Sequence, residues 1–150
     1  MSRPLRVVIV GGVAAGPKAA SRIVRLNPRA QVTVIEKGTF LSYAGCGLPY
    51  YVSGVVKEQK DLMCTPVGVV RDSIFFQKVK NVRMLNGTQA VEIDRAGKRV
   101  GMAGAGGTEP TWWIEYDKLV LCTGAHPIRP KIPGVDKRGV LTWNWPRRPA

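Results

Sequence analysis

The apolar positions open the chain with an unbroken run, LRVVIV at 5–10, whose lack of polar alternation predicts a strand buried on both faces in a parallel sheet. The period then changes. In GGVAAGPKAASRIVRL small residues come first, and Ala19, Ala20, Ile23, Val24 and Leu26 fall on one face of a helix. Pro17 suits the first turn of that helix, where a missing N–H costs least, and Asn27-Pro28 ends it. QVTVIE at 31–36 reads as a second strand, so the chain begins as a βαβ unit.

The stretch 65–80, TPVGVVRDSIFFQKVK, starts with a capping residue followed by proline and predicts a second helix of weaker periodicity. From 82 the texture is one of short strands: VRML, TQAVEID and KRVGM, with 94–97 as a turn between the last two. A loop of small residues at 103–110 leads to WWIEY, and KLVLCTGA at 118–125 is another buried strand ending in a sharp turn. Proline and glycine density marks 126–139 as an extended linker. The fold class is therefore α/β, a parallel sheet with helices plus a β-meander. Residues 1–140 form one domain and 141–150 a divergent tail.

Composition narrows the class. With 150 residues, 45% hydrophobic and 22% charged, the chain has the makings of a single packed core. Lys and Arg outnumber Asp and Glu by 23 to 10, a formal charge of +13 that favours phosphate-bearing partners. The basic residues are scattered, no run of like charge appears, and the tryptophans do not alternate with them as a stacking platform would, which argues against nucleic acid. No segment approaches the ~20 apolar residues that span a bilayer, and the N-terminal apolar run is too short for a signal sequence, so no membrane association and a cytoplasmic location are expected. Cys46, Cys64 and Cys122 are odd in number and unclustered, against both a disulfide framework and a metal site.

Three stretches carry candidate chemistry. Gly11-Gly-Val-Ala-Ala-Gly16 follows a strand and opens a helix, a setting in which glycine lets the backbone turn and approach a pyrophosphate held at the helix N-terminus. Glu36 ends the next strand, placed to accept hydrogen bonds from an adenosine ribose. The alternative is a plain glycine turn packing a helix on a sheet, and Val13 in place of the middle glycine weakens the match to the usual GxGxxG. Thr123-Gly124 ends another buried strand, where a second loop would meet the cofactor. Cys46, between Gly45 and Gly47, is set for close approach; at the start of a helix through Pro49 and Tyr50, with Lys37 or another basic group nearby, its thiolate would be favoured. Cys64 and Cys122 stand among apolar residues as inert core thiols, and His126, in a proline loop, reads as a surface residue.

Together VIVGGVAAG, VIEKG, SYAGCGLPYYVSG and LVLCTGAHPIRPKIPG resemble the flavin-binding start of pyridine nucleotide-disulfide oxidoreductases, over about 5–140. The likeness is to the single-cysteine branch of coenzyme A-disulfide reductases, NADH oxidases and peroxidases, and polysulfide reductases. The resemblance implies a Rossmann-like FAD-binding domain. The FAD pyrophosphate would lie on the turn of Gly11, Gly12, Val13, Ala14 and Gly16, and Glu36 on the ribose with Lys37 beside it. Backbone near Val82 would meet the adenine, and Thr123 and Gly124 would form the second loop. Cys46 would face the flavin and attack coenzyme A disulfide or polysulfide, with NAD(P)H as the hydride source. Lys18, Arg22 and Arg25 would meet substrate phosphates, with Ser42 nearer the thiol.

Members of that family run to several hundred residues, with a nicotinamide-binding domain and a dimerisation domain that this sequence does not contain. A truncated cofactor domain is therefore expected, completed by a further subunit or as a homodimer. Two function classes follow: part of an NAD(P)H-dependent flavin disulfide reductase, or a non-catalytic nucleotide-binding or interaction module left as a gene remnant.

Overall fold

The computed structural model describes residues 3–140; the tail at 141–150 lies outside the described residues. Strand β1 (Arg6–Val10) leads through the glycine turn to helix α1 (Ala15–Leu26) and back to β2 (Gln31–Glu36). A 3-10 turn (Gly45–Gly47), the short helix α2 (Leu48–Val52) and a second 3-10 turn (Gln59–Met63) follow. Then come α3 (Ser73–Lys80), β3 (Val82–Asn86), β4 (Thr88–Asp94), β5 (Arg99–Gly104), β6 (Trp112–Glu115) and β7 (Lys118–Leu121).

Four strands form a parallel sheet in the order β3-β2-β1-β7, and β4-β5-β6 form an antiparallel meander. The period-two geometry of β1 sends Val7 and Ile9 to one face and Val8 to the other, and both faces are covered. On the first face Val7, Ile9, Val32, Val34 and Met84 pack with Ala20 of α1 and Phe76 of α3. On the second, Val8 and Ile35 pack against Val100 and Met102 of the meander and against Tyr116. The result is three layers, helices over parallel sheet over meander, which is why the central strands β1 and β2 are buried on both faces, whereas the edge strand β7, read as buried, leaves Leu121 59% exposed.

Three local expectations are corrected. The helix read over 65–80 begins only at Ser73: Thr65 and Val69 close a turn through Thr65 N to Val69 O, and the Asp72 carboxylate caps α3 by accepting from the Phe75 amide at 2.8 Å. VRML, grouped with the short strands that follow it and given no sheet of its own, belongs to the parallel sheet, paired with β2 from Val32–Val82 to Glu36–Asn86. Leu26, assigned to the apolar face of α1, is 68% exposed in the last turn. Among the described residues no helix is long and apolar enough to cross a membrane.

Candidate functional site

In a parallel sheet the loops after the carboxyl ends of the strands converge on one edge, and here they bring together the segments after β1, β2 and β7. Gly11 adopts φ +113°, and a Cβ there would lie 2.0 Å from the Cys122 carbonyl oxygen at the end of β7. Gly16 is as constrained: its Cβ would fall 1.8 Å from the Gly11 carbonyl oxygen. The chain thus turns back on itself and passes directly under β7, and only glycine fits both contacts.

Glu36 is buried, and both its oxygens are engaged. Oε2 accepts from the Gly12 amide at 2.6 Å and Oε1 from the Gly38 amide at 2.7 Å. The carboxylate therefore clasps the glycine turn to the loop after β2. Each oxygen keeps a second acceptor position for a hydroxyl. Helix α1 follows Ala14, which offers no side-chain cap, and has no acidic residue in its first turn, so its leading amides and partial positive charge are free for an anion. Thr123 and Gly124, the latter at φ +70°, follow Cys122, whose amide donates to Val10 O at 2.7 Å. These features fit a dinucleotide: a cradle that a Cβ would fill, an uncapped helix N-terminus and a carboxylate at the second strand.

Ser42, itself at φ +48°, donates its amide to Gly12 O at 2.9 Å, which carries the loop after β2 across the turn. Beside this crossing lies an open groove of about 430 Å³, lined by Val13, Ala14, Lys18, Ser42, Tyr43, Ala44, Arg71, Phe75 and Lys80 among others. Lys18, Arg71 and Lys80 are the charged side chains on that lining. Burial and the nearby Glu36 charge push the Tyr43 phenol above its ordinary range, so it stays protonated as a hydroxyl at the groove. Cys46 is exposed, two residues beyond Ala44, on the 3-10 turn that feeds α2. Helix α2 has only five residues and supplies little dipole, so the favourable feature of Cys46 is access. Cys64 and Cys122 are partly covered, Cys122 against the main core.

The structure gathers Gly11, Gly12, Val13, Ala14, Gly16, Glu36, Thr123, Gly124, Ser42 and Lys18 around one edge. It does not bring Val82 there. Val82 is 1% exposed and pairs with Val32 at the opposite end of the sheet, whereas Asn86 stands level with Glu36. The strand direction is the reason: the site lies at the carboxyl ends, so the end of β3 and not its beginning reaches it, and Gly87 N donates there to Gly38 O. Arg22 and Arg25 are exposed further along α1, with Arg25 turned to the Ser21 carbonyl; Lys37 is exposed beside Glu36. Arg71, Lys80 and Tyr43 escaped the sequence reading, the first two inside a stretch read as one continuous helix. Gly68 and the Asp72-Ser73 cap were the signals that could have opened it into a loop and a helix.

Residues 5–144 match the family model for pyridine nucleotide-disulphide oxidoreductases. The chain belongs to that family. Its members are flavin- and NAD(P)H-dependent. The NAD(P)H coenzyme A polysulfide/persulfide reductase of Pyrococcus horikoshii is 38% identical over 94% of this chain and 29% of its own length. The coenzyme A disulfide reductase of Staphylococcus haemolyticus is 31% identical, over 80% of this chain and 26% of its own. Among solved structures, an NAD-dependent persulfide reductase from A. fulgidus superposes with a TM-score of 0.85 and 47% identity, over 93% of this chain and 25% of that one. The sequence thus spans little more than a quarter of the relatives it matches.

Proposed function

We propose that this chain is the FAD-binding part of an NAD(P)H-dependent reductase of coenzyme A disulfide or polysulfide, with Cys46 as its single redox cysteine. What carries the reading is an exposed cysteine two residues beyond Ala44, which lines a basic groove that runs along the glycine turn clasped by Glu36. In this reading the turn from Gly11 to Gly16, with Val13 and Ala14, receives the pyrophosphate. Glu36 accepts from the ribose with Lys37 beside it, and Thr123 and Gly124 close the second loop. Lys18 and Ser42 meet the coenzyme A part of the substrate together with Arg71 and Lys80, as charge-assisted donors to phosphate. Arg22 and Arg25 extend the same basic helix surface away from the groove.

Cys46 acts as a thiolate. Its sulfur attacks one sulfur of the substrate; with coenzyme A disulfide a Cys46 mixed disulfide forms and coenzyme A thiolate leaves, and with polysulfide a Cys46 persulfide forms and the shortened polysulfide leaves. Bound FAD, recharged by NAD(P)H, would supply the electron pair that frees Cys46 with release of the second thiol or, from the persulfide, of sulfide. The chain's own work is to hold the substrate's phosphates on the basic lining and to leave Cys46 open on the side of attack.

The visible spectrum of the purified chain after incubation with FAD and gel filtration tests the first half of this reading. A co-eluting flavin band, released on denaturation as FAD and not FMN, is the expected result. Thiol labelling near neutral pH tests the second half, with Cys46 reacting faster than Cys64 or Cys122. The other reading is a nucleotide-binding or interaction module without catalysis of its own. A flavin-free protein with three equally reactive cysteines would favour it.

A further inference from the structure

Arg71 belongs to the groove, yet its other attachments run toward the cysteine. Its Nε donates to the Met63 carbonyl at 3.1 Å and its Nη2 to the Leu62 carbonyl at 3.3 Å. The Leu62 carbonyl also accepts from the Ala44 amide at 2.8 Å. Ala44 precedes the 3-10 turn that carries Cys46, and Gly47 N donates back to Ala44 O at 2.9 Å. The Leu62 side chain, 3% exposed, presses on the same turn so closely that a Cβ on Gly47 would lie 2.6 Å from its Cδ2. One carbonyl and one buried side chain of Leu62 thus hold the cysteine turn, and Arg71 holds Leu62.

We propose that Arg71 is a positioning residue for Cys46: its guanidinium fork anchors Leu62 and Met63, Leu62 fixes the turn at 44–47, and the same guanidinium lines the substrate groove. The proposal rests on the reading of Cys46 as the redox cysteine. A guanidinium has five donors in a rigid plane, so two can stay on carbonyls while others meet an anion in the groove. Lysine, a point charge on a flexible stem, keeps the charge but cannot hold both carbonyls in a fixed fork. An anion bound in the groove would therefore steady the turn through Arg71, linking substrate binding to the placement of the thiol.

The test uses the 150-residue chain with Cys64→Ser and Cys122→Ala, so that only Cys46 reports, and compares Arg71 with Arg71→Met and Arg71→Lys. Amide exchange is read at Ala44 and at Val34 in the core strand β2, and Cys46 labelling is read with a neutral dipyridyl disulfide and an anionic aromatic disulfide. Arg71→Met is expected to speed exchange at Ala44 about tenfold with Val34 unchanged, and to shift neutral labelling of Cys46 by at least about threefold. It also lowers the preference for the anionic reagent. Arg71→Lys restores that preference but not the protection of Ala44, which a purely electrostatic role would not separate.

Unchanged exchange at Ala44 overturns the proposal. So does faster exchange shared equally by Val34 in both variants, which would make Arg71 a prop of the whole domain. Faster exchange with unaltered Cys46 labelling overturns it too, because the tether would then not reach the thiol. The reading beneath it fails separately, in the chain that keeps all three cysteines, if Cys46 there labels no faster than Cys64.

Discussion

The glycines of the cofactor turn and those around Cys46 look alike in sequence and differ in what holds them. At Gly11 and Gly16 a Cβ would strike main-chain oxygens at 2.0 and 1.8 Å, atoms that cannot move without dismantling the βαβ unit. At Gly45 it would meet only the Tyr43 ring edge at 4.0 Å, an ordinary contact, whereas at Gly47 it would fall 2.6 Å from the buried Leu62 side chain. The first pair is required by the fold itself. Gly47 is constrained by the same buried Leu62 that holds the cysteine turn, but Gly45 is not, so any need for a glycine there must come from what approaches Cys46. The cradle is closed at both glycines, and the cysteine turn leaves space only at Gly45.

The sharpest way to break this contrast is Gly16→Ala. With no room between α1 and the Gly11 carbonyl, the variant should lose about 4 kcal/mol or more and fail to fold, read as loss of the cooperative thermal transition. A stable Gly16→Ala chain would show that the cradle gives way as easily as the cysteine turn. Glu36→Gln is the next largest. The amide keeps one acceptor, so either the buried Gly12 amide or the part-buried Gly38 amide is left facing an NH₂ group, at a cost of about 1–3 kcal/mol. Denaturant unfolding with and without FAD separates the parts: the loss should already be present in the flavin-free protein, because Glu36 clasps the turn whether or not a ribose is bound.

These two residues were legible in the sequence because the evidence for them is local. A strand with no polar alternation, a glycine turn and a helix starting in small residues lie within some twenty positions, and parallel pairing puts Glu36 beside the turn almost by necessity. What the sequence hid depends on strand direction or on distant partners. Val82 and Asn86 stand on the same short strand, and only the parallel register tells which end reaches the site. Val67, Val69 and Val70 supply enough apolar character to imitate a helix over 65–80, while the Thr65 turn and the Asp72 cap that divide it are small polar details. Arg71 was the least visible, since its role lies in bonds to carbonyls eight and nine residues back.

Acid offers a milder way to separate the two regions. Asp117, at the start of β7, accepts from both Arg3 nitrogens at 2.8 and 2.6 Å and from the Arg6 amide at 2.8 Å, and so pins β1 to β7 at the end of the sheet away from the site. The Arg3 hydrogen bond first, and the Arg6 amide next, hold this carboxyl well below the ordinary carboxylate range. A group whose folded pKa is depressed gives stability that is fully present above its unfolded value, 3.8 for an aspartate, and that is lost as the pH falls toward the folded one. Thermal midpoints should therefore fall less steeply for Asp117→Asn than for the parent chain below about pH 4, with the two curves converging in acid. Amide exchange should rise first in β1 and β7, ahead of Ala44 in the cysteine turn.

The smallest expected effect bears most directly on function. Gly45 is not among the glycines with positive φ, and its Cβ position is open, so Gly45→Ala should leave stability within about 0.5 kcal/mol, or raise it slightly by restricting the unfolded chain. If glycine is there because ligands come close, the cost must appear elsewhere. The variant should react with a small neutral disulfide at nearly the parent rate, but more slowly with coenzyme A disulfide, whose bulk must pass the added methyl. A slower reaction with the large substrate alone, in a chain of unchanged stability, places the need for glycine in the ligand and keeps the two regions distinct. Equal rates with both reagents would mean that the turn around Cys46 has room to spare, and that Gly45 serves neither fold nor substrate.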